Sequence, residues 1–171
     1  MIETENLKMV ACTGMHLNSL ERNHAVPSLM GADTAEGWLV FPESVEYATK
    51  LLQSHSQNLR WGMHLILHKG DNKIIGTSGY NGMANDDGLV EMGYALAPSY
   101  RNVGIEAEIA KGLVDNAFRW AAVIMIDTYT VARSNESSQT LKDLGFSKMA
   151  REGDLLQWRL TRSDYEGSRP E

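Results

Sequence analysis

The chain lacks most of the features that mark secreted, membrane-bound or nucleic-acid-binding proteins. Its single cysteine, Cys12, excludes an intramolecular disulfide and fits a reducing compartment. No apolar run approaches the ~18–20 residues needed to cross a membrane, and the first residues carry charges where a signal peptide has an apolar core. A net charge of −6 argues against a basic face for phosphate backbones. We therefore expect a cytoplasmic protein that binds neither a membrane nor a nucleic acid.

Motifs for metals and nucleotides are also missing. His64 and His68 are four residues apart, but on a strand this spacing covers about 13 Å, which is too far for one ion. The sequence contains no Gly-x-Ser-x-Gly, no Walker lysine loop and no dinucleotide fingerprint. We therefore expect no metal site, and we interpret Cys12 as a small buried residue.

The helix and strand patterns predict a mixed α+β fold. With 171 residues and 43% hydrophobic residues, a single domain over residues 1–171 is expected, with a polar and disordered tail after about residue 162. Three successive strands with tight turns predict an antiparallel meander, whereas residues 22–43 are predicted to be irregular. The predicted strands are 6–12, 61–68, 73–83, 89–96, 122–131, 146–151 and 155–161. The predicted helices are 14–21, 44–57, 104–120 and 135–144.

The segment 100–106 lies between a predicted strand and a predicted helix. A turn with a glycine at a helix start exposes unpaired N–H groups and the positive end of the helix dipole, and together these bind phosphate. Gly104 therefore indicates a phosphorylated ligand. Glu106 opposes this interpretation, because it puts a carboxylate where the anion would bind.

The order of elements around this segment resembles the GNAT superfamily of acyl-CoA-dependent N-acetyltransferases, most closely its branch of ribosomal-protein-like N-acetyltransferases. Residues 91–106 align without a gap with that branch's Glu-x-Gly-Tyr strand and its Ala-Pro-x-Tyr-Arg-Gly-x-Gly-x-Ala segment. Asn135, Ser138 and 144–146 match its Asn-x-x-Ser and Leu-Gly-Phe. The resemblance covers roughly residues 36–160 and implies a mostly antiparallel twisted sheet of about six or seven strands flanked by about four helices.

The resemblance implies that an acetyl group passes from acetyl-CoA to a primary amine, which attacks the thioester directly. The acceptor remains open between a protein N-terminus, a polyamine, an aminoglycoside and an amino acid. The acidic net charge of −6 favours a cationic amine. A homodimer is also left open. The alternative function is a binding module that keeps the fold without acetyl transfer.

The resemblance assigns the catalytic roles to Glu91 and Ser138. Glu91 is the candidate base that takes a proton from the acceptor ammonium, whose pKa is about 8 for an α-amine and about 10.4 for lysine. A surface position or a structural pair with an arginine is the alternative for Glu91. Ser138 and Tyr100 are the candidate acids for the leaving thiolate, which otherwise leaves unaided.

A further set of residues is expected to bind acetyl-CoA. The set consists of Met92, Tyr94, Leu96, Arg101, Val103, Gly104, Ile105, Glu106, Ala107 and Asn135. Backbone N–H groups of its strand members are expected to bind the thioester oxygen and the pantetheine arm, and those of 103–107 the pyrophosphate. Arg101 would reach a phosphate oxygen unless it is simply solvated. Asn135 would bind the pantetheine arm, cap its helix, or do both.

The sequence departs from the branch at three points. Asn102 replaces a glycine, and Glu106 replaces an alanine or glycine. The interval from Asn135 to Gly145 is one residue short, which rotates the helix by about 100° and leaves the acid position open. The acceptor cleft is expected from the loop 22–43 with its Trp38 and Phe41, and from the hairpin 150–157.

Overall fold

A computed structural model describes residues 1–22, 30–54, 58–101, 104–132 and 135–168, with Asn135 and Glu136 described by their backbone alone. These residues form nine strands and five helices, together with two single turns of 3-10 helix. The chain divides into two compact units, one of residues 1–83 and 94–101 and the other of residues 84–93 and 102–171. The single domain predicted from the chain length stays a prediction.

The strands are β1 (Ile2–Glu3), β2 (Leu7–Ala11), β3 (Asp33–Thr34), β4 (Met63–His68), β5 (Lys73–Tyr80), β6 (Leu89–Leu96), β7 (Met125–Val131), β8 (Ser147–Glu152) and β9 (Leu155–Thr161). The helices are α1 (Gly14–Glu21), α2 (Glu43–Ser54), α3 (Ile105–Phe118), α4 (Asn135–Asp143) and α5 (Arg162–Gly167). The 3-10 turns are Leu59–Trp61 and Pro98–Tyr100. The predicted mixed fold is confirmed, with more strands and one more helix than expected.

The first unit is built on antiparallel pairs, β1 with β2, β2 with β4 and β4 with β5. Strand β3 joins β5 in parallel. One face of this sheet packs on α1 and α2 around a core that includes Leu17, Val45, Ala48, Leu65 and Ile74. Cys12 lies in the same core, and burial raises the pKa of its thiol to about 12. This confirms the prediction that Cys12 is a small buried residue.

The end of β6 belongs to the first unit and lies close to β5 there. The N–H group of Ala97 donates to the carbonyl oxygen of Ile75 at 2.8 Å. A Cβ atom at Gly76 would overlap the carbonyl oxygen of Ala95. Only glycine therefore permits this close approach of the two backbones.

The second unit combines parallel and antiparallel pairs. The start of β6 runs parallel to β7 from Leu89↔Met125 to Glu91↔Asp127. Strand β7 pairs antiparallel with β9 along its whole length, and β9 pairs with β8. Helix α3 buries the predicted apolar stripe, which consists of Ile105, Ile109, Leu113 and Ala117.

Several predicted boundaries were wrong. Strand β4 begins at Met63 because Leu59–Trp61 forms a 3-10 turn, and β5 ends at Tyr80 instead of continuing to residue 83. The short strands β1 and β3 were missed, and β3 lies in the segment predicted to be irregular. Residues 23–29 of that segment and residues 55–57 of the predicted helix lie outside the described residues.

The prediction of a disordered tail after residue 162 was wrong, because helix α5 follows β9 directly. The Thr161 hydroxyl caps this helix by accepting from the N–H group of Asp164 at 3.2 Å. Arg162 donates to carbonyl oxygens at the end of α3, those of Phe118, Trp120 and Val123. Tyr165 stacks on Phe118 and donates to Asp115. These contacts hold a polar segment that has no apolar periodicity of its own.

We predict that Arg162→Ala destabilises the protein by about 1–3 kcal/mol, because carbonyl groups at the end of α3 lose their donors. Urea unfolding followed by circular dichroism measures this change. Arg119→Ala is the matched control, since Arg119 is an exposed arginine at the same helix end. Equal unfolding midpoints for the two variants would show that α5 is not anchored by Arg162.

His64 makes the first unit sensitive to acid. Its side chain is 1% exposed, its Nδ1 atom lies 3.0 Å from the carbonyl oxygen of Gly62, and burial lowers its pKa to about 4. The unfolded chain takes up this proton near pH 6.5, whereas the folded chain does so only near pH 4. The contribution of neutral, buried His64 to the free energy of unfolding is therefore fully present above pH 6.5 and decreases as the pH falls towards 4.

We predict that His64 accounts for a loss of about 3 kcal/mol in unfolding free energy between pH 6.5 and pH 4. Urea unfolding at several pH values, for the wild type and for His64→Gln, isolates this contribution. The variant should lose less stability over this range, because glutamine does not titrate. Parallel pH curves for the two proteins would contradict the prediction.

Candidate active site

One face of the sheet in the second unit carries a row of polar side chains. Partners on neighbouring strands direct their side chains to the same face of a sheet. Glu91 on β6 is the partner of Asp127 on β7, and Asp127 is the partner of Arg159 on β9. Two residues farther along β7, Tyr129 is the partner of Gln157. The residues that alternate with these on β7 and β9 include Ile126, Thr128, Trp158 and Leu160, and all four are buried.

Asp127 is the centre of a hydrogen-bonded network on this face. Its carboxylate is buried, and Arg159 donates to both of its oxygens, from Nε at 2.7 Å and from Nη2 at 2.8 Å. The amide of Gln157 donates a third bond at 2.8 Å. Such a bidentate contact is the strongest geometry for an arginine–carboxylate pair. The hydrogen bonds to Asp127 raise the pKa of the Arg159 guanidinium.

Glu91 lies at the end of the described ladder between β6 and β7. The side chain is half-buried, and in the described part of the chain the ladder stops at its pair with Asp127, although β7 continues to residue 131. Gly93 follows on the same face, and, its chain neighbours apart, no atom of the described ranges lies within 4 Å of the place where its Cβ would be. The polar face therefore has open space beside Glu91.

Tyr129 is the exposed aromatic residue of this face, with 41% of its surface accessible. Burial of the hydroxyl raises its pKa first, and the carboxylates of Glu91, Asp127 and Glu152 raise it further. Arg159 acts in the opposite direction and is the smallest of these influences. The phenol is therefore neutral at physiological pH, and the charges around it are mostly negative.

The start of α3 has the backbone geometry predicted for a phosphate site. Gly104 precedes the helix with φ at +83°, and no atom of the described residues beyond its chain neighbours lies within 4 Å of the place where its Cβ would be. Ile105 is buried, Glu106 is half-buried and Ala107 is exposed. Glu106 and Glu108 both lie in the first turn. Val103, another predicted member of this site, lies outside the described residues, as does Asn102.

Three predicted binding residues lie in the first unit. Tyr94 is half-buried, Leu96 is buried, and Arg101 donates from Nε to the carbonyl oxygen of Leu96 at 3.0 Å. The structure thus brings Arg101 and Leu96 together, and the side chain of Arg101 lies against the end of β6.

Tyr100 is poorly suited to the role of an acid. Its hydroxyl donates to Asp71 at 2.5 Å, and this hydrogen bond raises the pKa of Tyr100 to about 12. Proton release from this phenol would first have to break its bond to Asp71.

The remaining candidates lie on two elements of the second unit, β6 and α4. In the second unit, Met92 directs its buried side chain away from the face that carries Glu91. Ser138 is half-buried on α4, which begins at Asn135 and packs against α3. The side chain of Asn135, and with it the predicted cap or pantetheine contact, lies outside the described residues.

The two aromatic residues predicted to shape the acceptor cleft differ in their surroundings. Trp38 packs against the core of the first unit, whereas Phe41 is 53% exposed. Trp38 is therefore part of the packing of the first unit, and of these two residues only Phe41 is exposed enough to contact a ligand.

Two kinds of feature are absent from the described residues. No group of three histidine, cysteine, aspartate or glutamate side chains in the described ranges is placed to hold a metal ion. No described helix combines the length and the apolar composition needed to cross a membrane.

Comparisons with known proteins identify the family. Residues 16–147 match the family model of the acetyltransferase (GNAT) domain. The chain is 24% identical over 161 residues to YjdG, an uncharacterised N-acetyltransferase of Bacillus subtilis (strain 168), and the match covers 92% of this chain and 96% of YjdG.

Solved structures share the same fold. The ribosomal-protein-S5-alanine acetyltransferase of Vibrio fischeri has a TM-score of 0.66 at 20% identity, covering 95% of this chain and 97% of that one. Spermidine N-acetyltransferase of Vibrio cholerae, in complex with CoA and spermine, has a TM-score of 0.66 at 14% identity, covering 95% and 99%. Since the family model spans most of the chain, this protein belongs to the GNAT acetyltransferase family.

Proposed function

We propose that the protein transfers an acetyl group from acetyl-CoA to a primary amine, which attacks the thioester directly. The observation that supports this most is the position of Glu91. It is a half-buried carboxylate on a polar sheet face, with open space beside it at Gly93. An amine that enters that space would lie close enough to the Glu91 carboxylate to give up a proton to it.

The start of α3 fits the pyrophosphate of acetyl-CoA, which supplies the acyl group as a thioester when it is bound. The left-handed Gly104 leaves its surroundings open, and the first N–H groups of a helix have no partner within the helix. The residues that would hold the phosphates are Val103, Gly104, Ile105, Glu106 and Ala107. Met92, Tyr94, Leu96, Arg101 and Asn135 stay the predicted contacts of the rest of the molecule.

Different groups of the chain would then accept the proton of the amine, stabilise the oxyanion and protonate the leaving thiolate. Glu91 takes a proton from the ammonium, so that the nitrogen lone pair becomes available. The N–H group of Met92 is the oxyanion donor proposed in the second unit. Ser138 is the proposed donor of a proton to the leaving thiolate, and without it the thiolate leaves unaided.

We predict that Glu91→Gln lowers the turnover number by about 10²–10⁴-fold, because the amide cannot accept the proton. The affinity for CoA should not change, since the phosphates are assigned to another element. Thiol release with a panel of amines measures turnover, and calorimetry measures CoA binding. Asp86→Asn is the matched control, because Asp86 is an exposed acid in the turn before β6. A fully active Glu91→Gln enzyme would remove Glu91 as the base.

The carboxylate of Glu106 permits a second test, because it lies in the first turn of α3. We predict that Glu106→Ala binds CoA about five- to tenfold more tightly, since a like charge is removed beside the phosphates. Calorimetric titration with CoA measures this effect. Glu108→Ala, which removes the other acidic side chain of that turn, should have a smaller effect. An unchanged affinity in Glu106→Ala would mean that the carboxylate points away from the phosphates.

The same titration separates the proposal from its alternative, a fold that has lost acetyl transfer. Saturable binding of CoA, with stabilisation of the protein by acetyl-CoA, is expected of the enzyme. Absence of CoA binding in both the wild type and Glu106→Ala would favour the binding module.

A further inference from the structure

Tyr129 extends the polar face beyond the proposed base. It lies two residues past Asp127 on β7, and Asp127 is the partner of Glu91 on β6. Tyr129 therefore shares the face of Glu91, one diagonal step away. The residue is 41% exposed, and its partner on β9 is Gln157, whose amide donates to Asp127.

The polar side chains next to Tyr129 on β9 are hydrogen-bonded to Asp127. Arg159 holds Asp127 with two hydrogen bonds, so its guanidinium is fixed at that carboxylate. Gln157 is bonded to the same carboxylate. In the described part of the chain, the one cation among the charges that act on Tyr129 is thus held at Asp127.

The charges near Tyr129 favour a cation. Among the described residues, the carboxylates that act on its hydroxyl are Glu91, Asp127 and Glu152, against the single guanidinium of Arg159. An exposed aromatic ring attracts ammonium groups through its electron-rich face, and a surplus of negative charge strengthens that attraction. An exposed aromatic ring in such surroundings is suited to a positively charged ligand.

We infer that Tyr129 binds a second positive charge of the acceptor while the reacting amine lies at Glu91. The acceptor class would be an aliphatic amine with a further cationic group, either a free diamine or a peptide with a basic side chain near its amine. This inference rests on the proposed function, and it adds a specificity-determining residue to it.

The geometry also sets the distance between the two charges. Neighbouring strands are about 4.8 Å apart and two residues along a strand cover about 6.6 Å, so the diagonal from Glu91 to Tyr129 is about 8 Å. An extended diamine spans this distance with roughly five or six methylene groups. Shorter diamines would reach only one of the two positions.

The test is a series of α,ω-diamines with two to eight methylene groups, each compared with the monoamine of equal length. Thiol release from acetyl-CoA gives kcat/KM for each acceptor. We expect the diamine to exceed its monoamine by roughly two- to thirtyfold, with the largest ratio near five or six methylene groups. A short peptide with lysine at its first position, compared with alanine there, shows whether a peptide can supply the same second charge.

Variants at Tyr129 decide whether this residue causes the preference. Tyr129→Leu should reduce the diamine-to-monoamine ratio to about one, whereas Tyr129→Phe should keep most of it, because phenylalanine retains the ring face. Trp120→Leu is the control, since Trp120 is an exposed aromatic residue of the same unit, with 42% of its surface accessible. Unfolding midpoints verify that each variant is folded.

The outcomes separate this inference from the proposed function. Monoamine acetylation with a ratio that Tyr129→Leu leaves unchanged would overturn the role of Tyr129 and keep the enzyme. A ratio that does not depend on chain length would overturn it as well. If neither the small amines nor the peptides release thiol, the proposed function fails, and the inference fails with it.

Discussion

The buried ion pair of Asp127 and Arg159 is the interaction on which the second unit depends. A carboxylate that is 3% exposed is costly to bury unless its oxygens are hydrogen-bonded, and here three donors from β9 supply those bonds. All three bonds require the observed register of β7 and β9. A slip of one residue would turn Asp127 to the face that holds Trp158 and Leu160. The pair therefore fixes which face is polar, and with it the surroundings of Glu91 and Tyr129.

Local patterns were sufficient to predict the elements that bury their own side chains. Strands β5 and β6 and helix α3 carry long apolar or β-branched patterns, and these elements were found close to their predicted bounds. The two-residue strands β1 and β3 have no such pattern, because they exist only through pairing with β2 and β5. Helix α5 was missed for the same reason. It depends on the contacts of Arg162 and Tyr165 with α3, which lies more than 40 residues earlier.

The candidate site was only partly predictable. Glu91 was predicted because it belongs to a sequence pattern continuous with the start of α3, and its role stays a prediction. Asp127, Tyr129, Gln157 and Arg159 were not predicted, although polar residues alternate with apolar ones on β9. That alternation predicts a polar face on β9 alone, whereas β7 has four successive polar or aromatic residues from Asp127 to Thr130. Which residues meet across the strands depends on the register of β7 with β9, and a single sequence does not specify this register.

Glu106 shows how one carboxylate can serve stability and oppose ligand binding. In the first turn of α3 it interacts favourably with the helix dipole, which is worth about 0.3–1 kcal/mol for an acidic side chain in this position. A pyrophosphate at the same turn would use the same dipole and the same N–H groups. On the proposed function, the ligand would therefore replace an interaction that already stabilises the protein, so the stability without ligand and the affinity for it would change in opposite directions. An alanine or glycine at this position would remove that compensation, because the turn would then interact with an anion only when the ligand is bound.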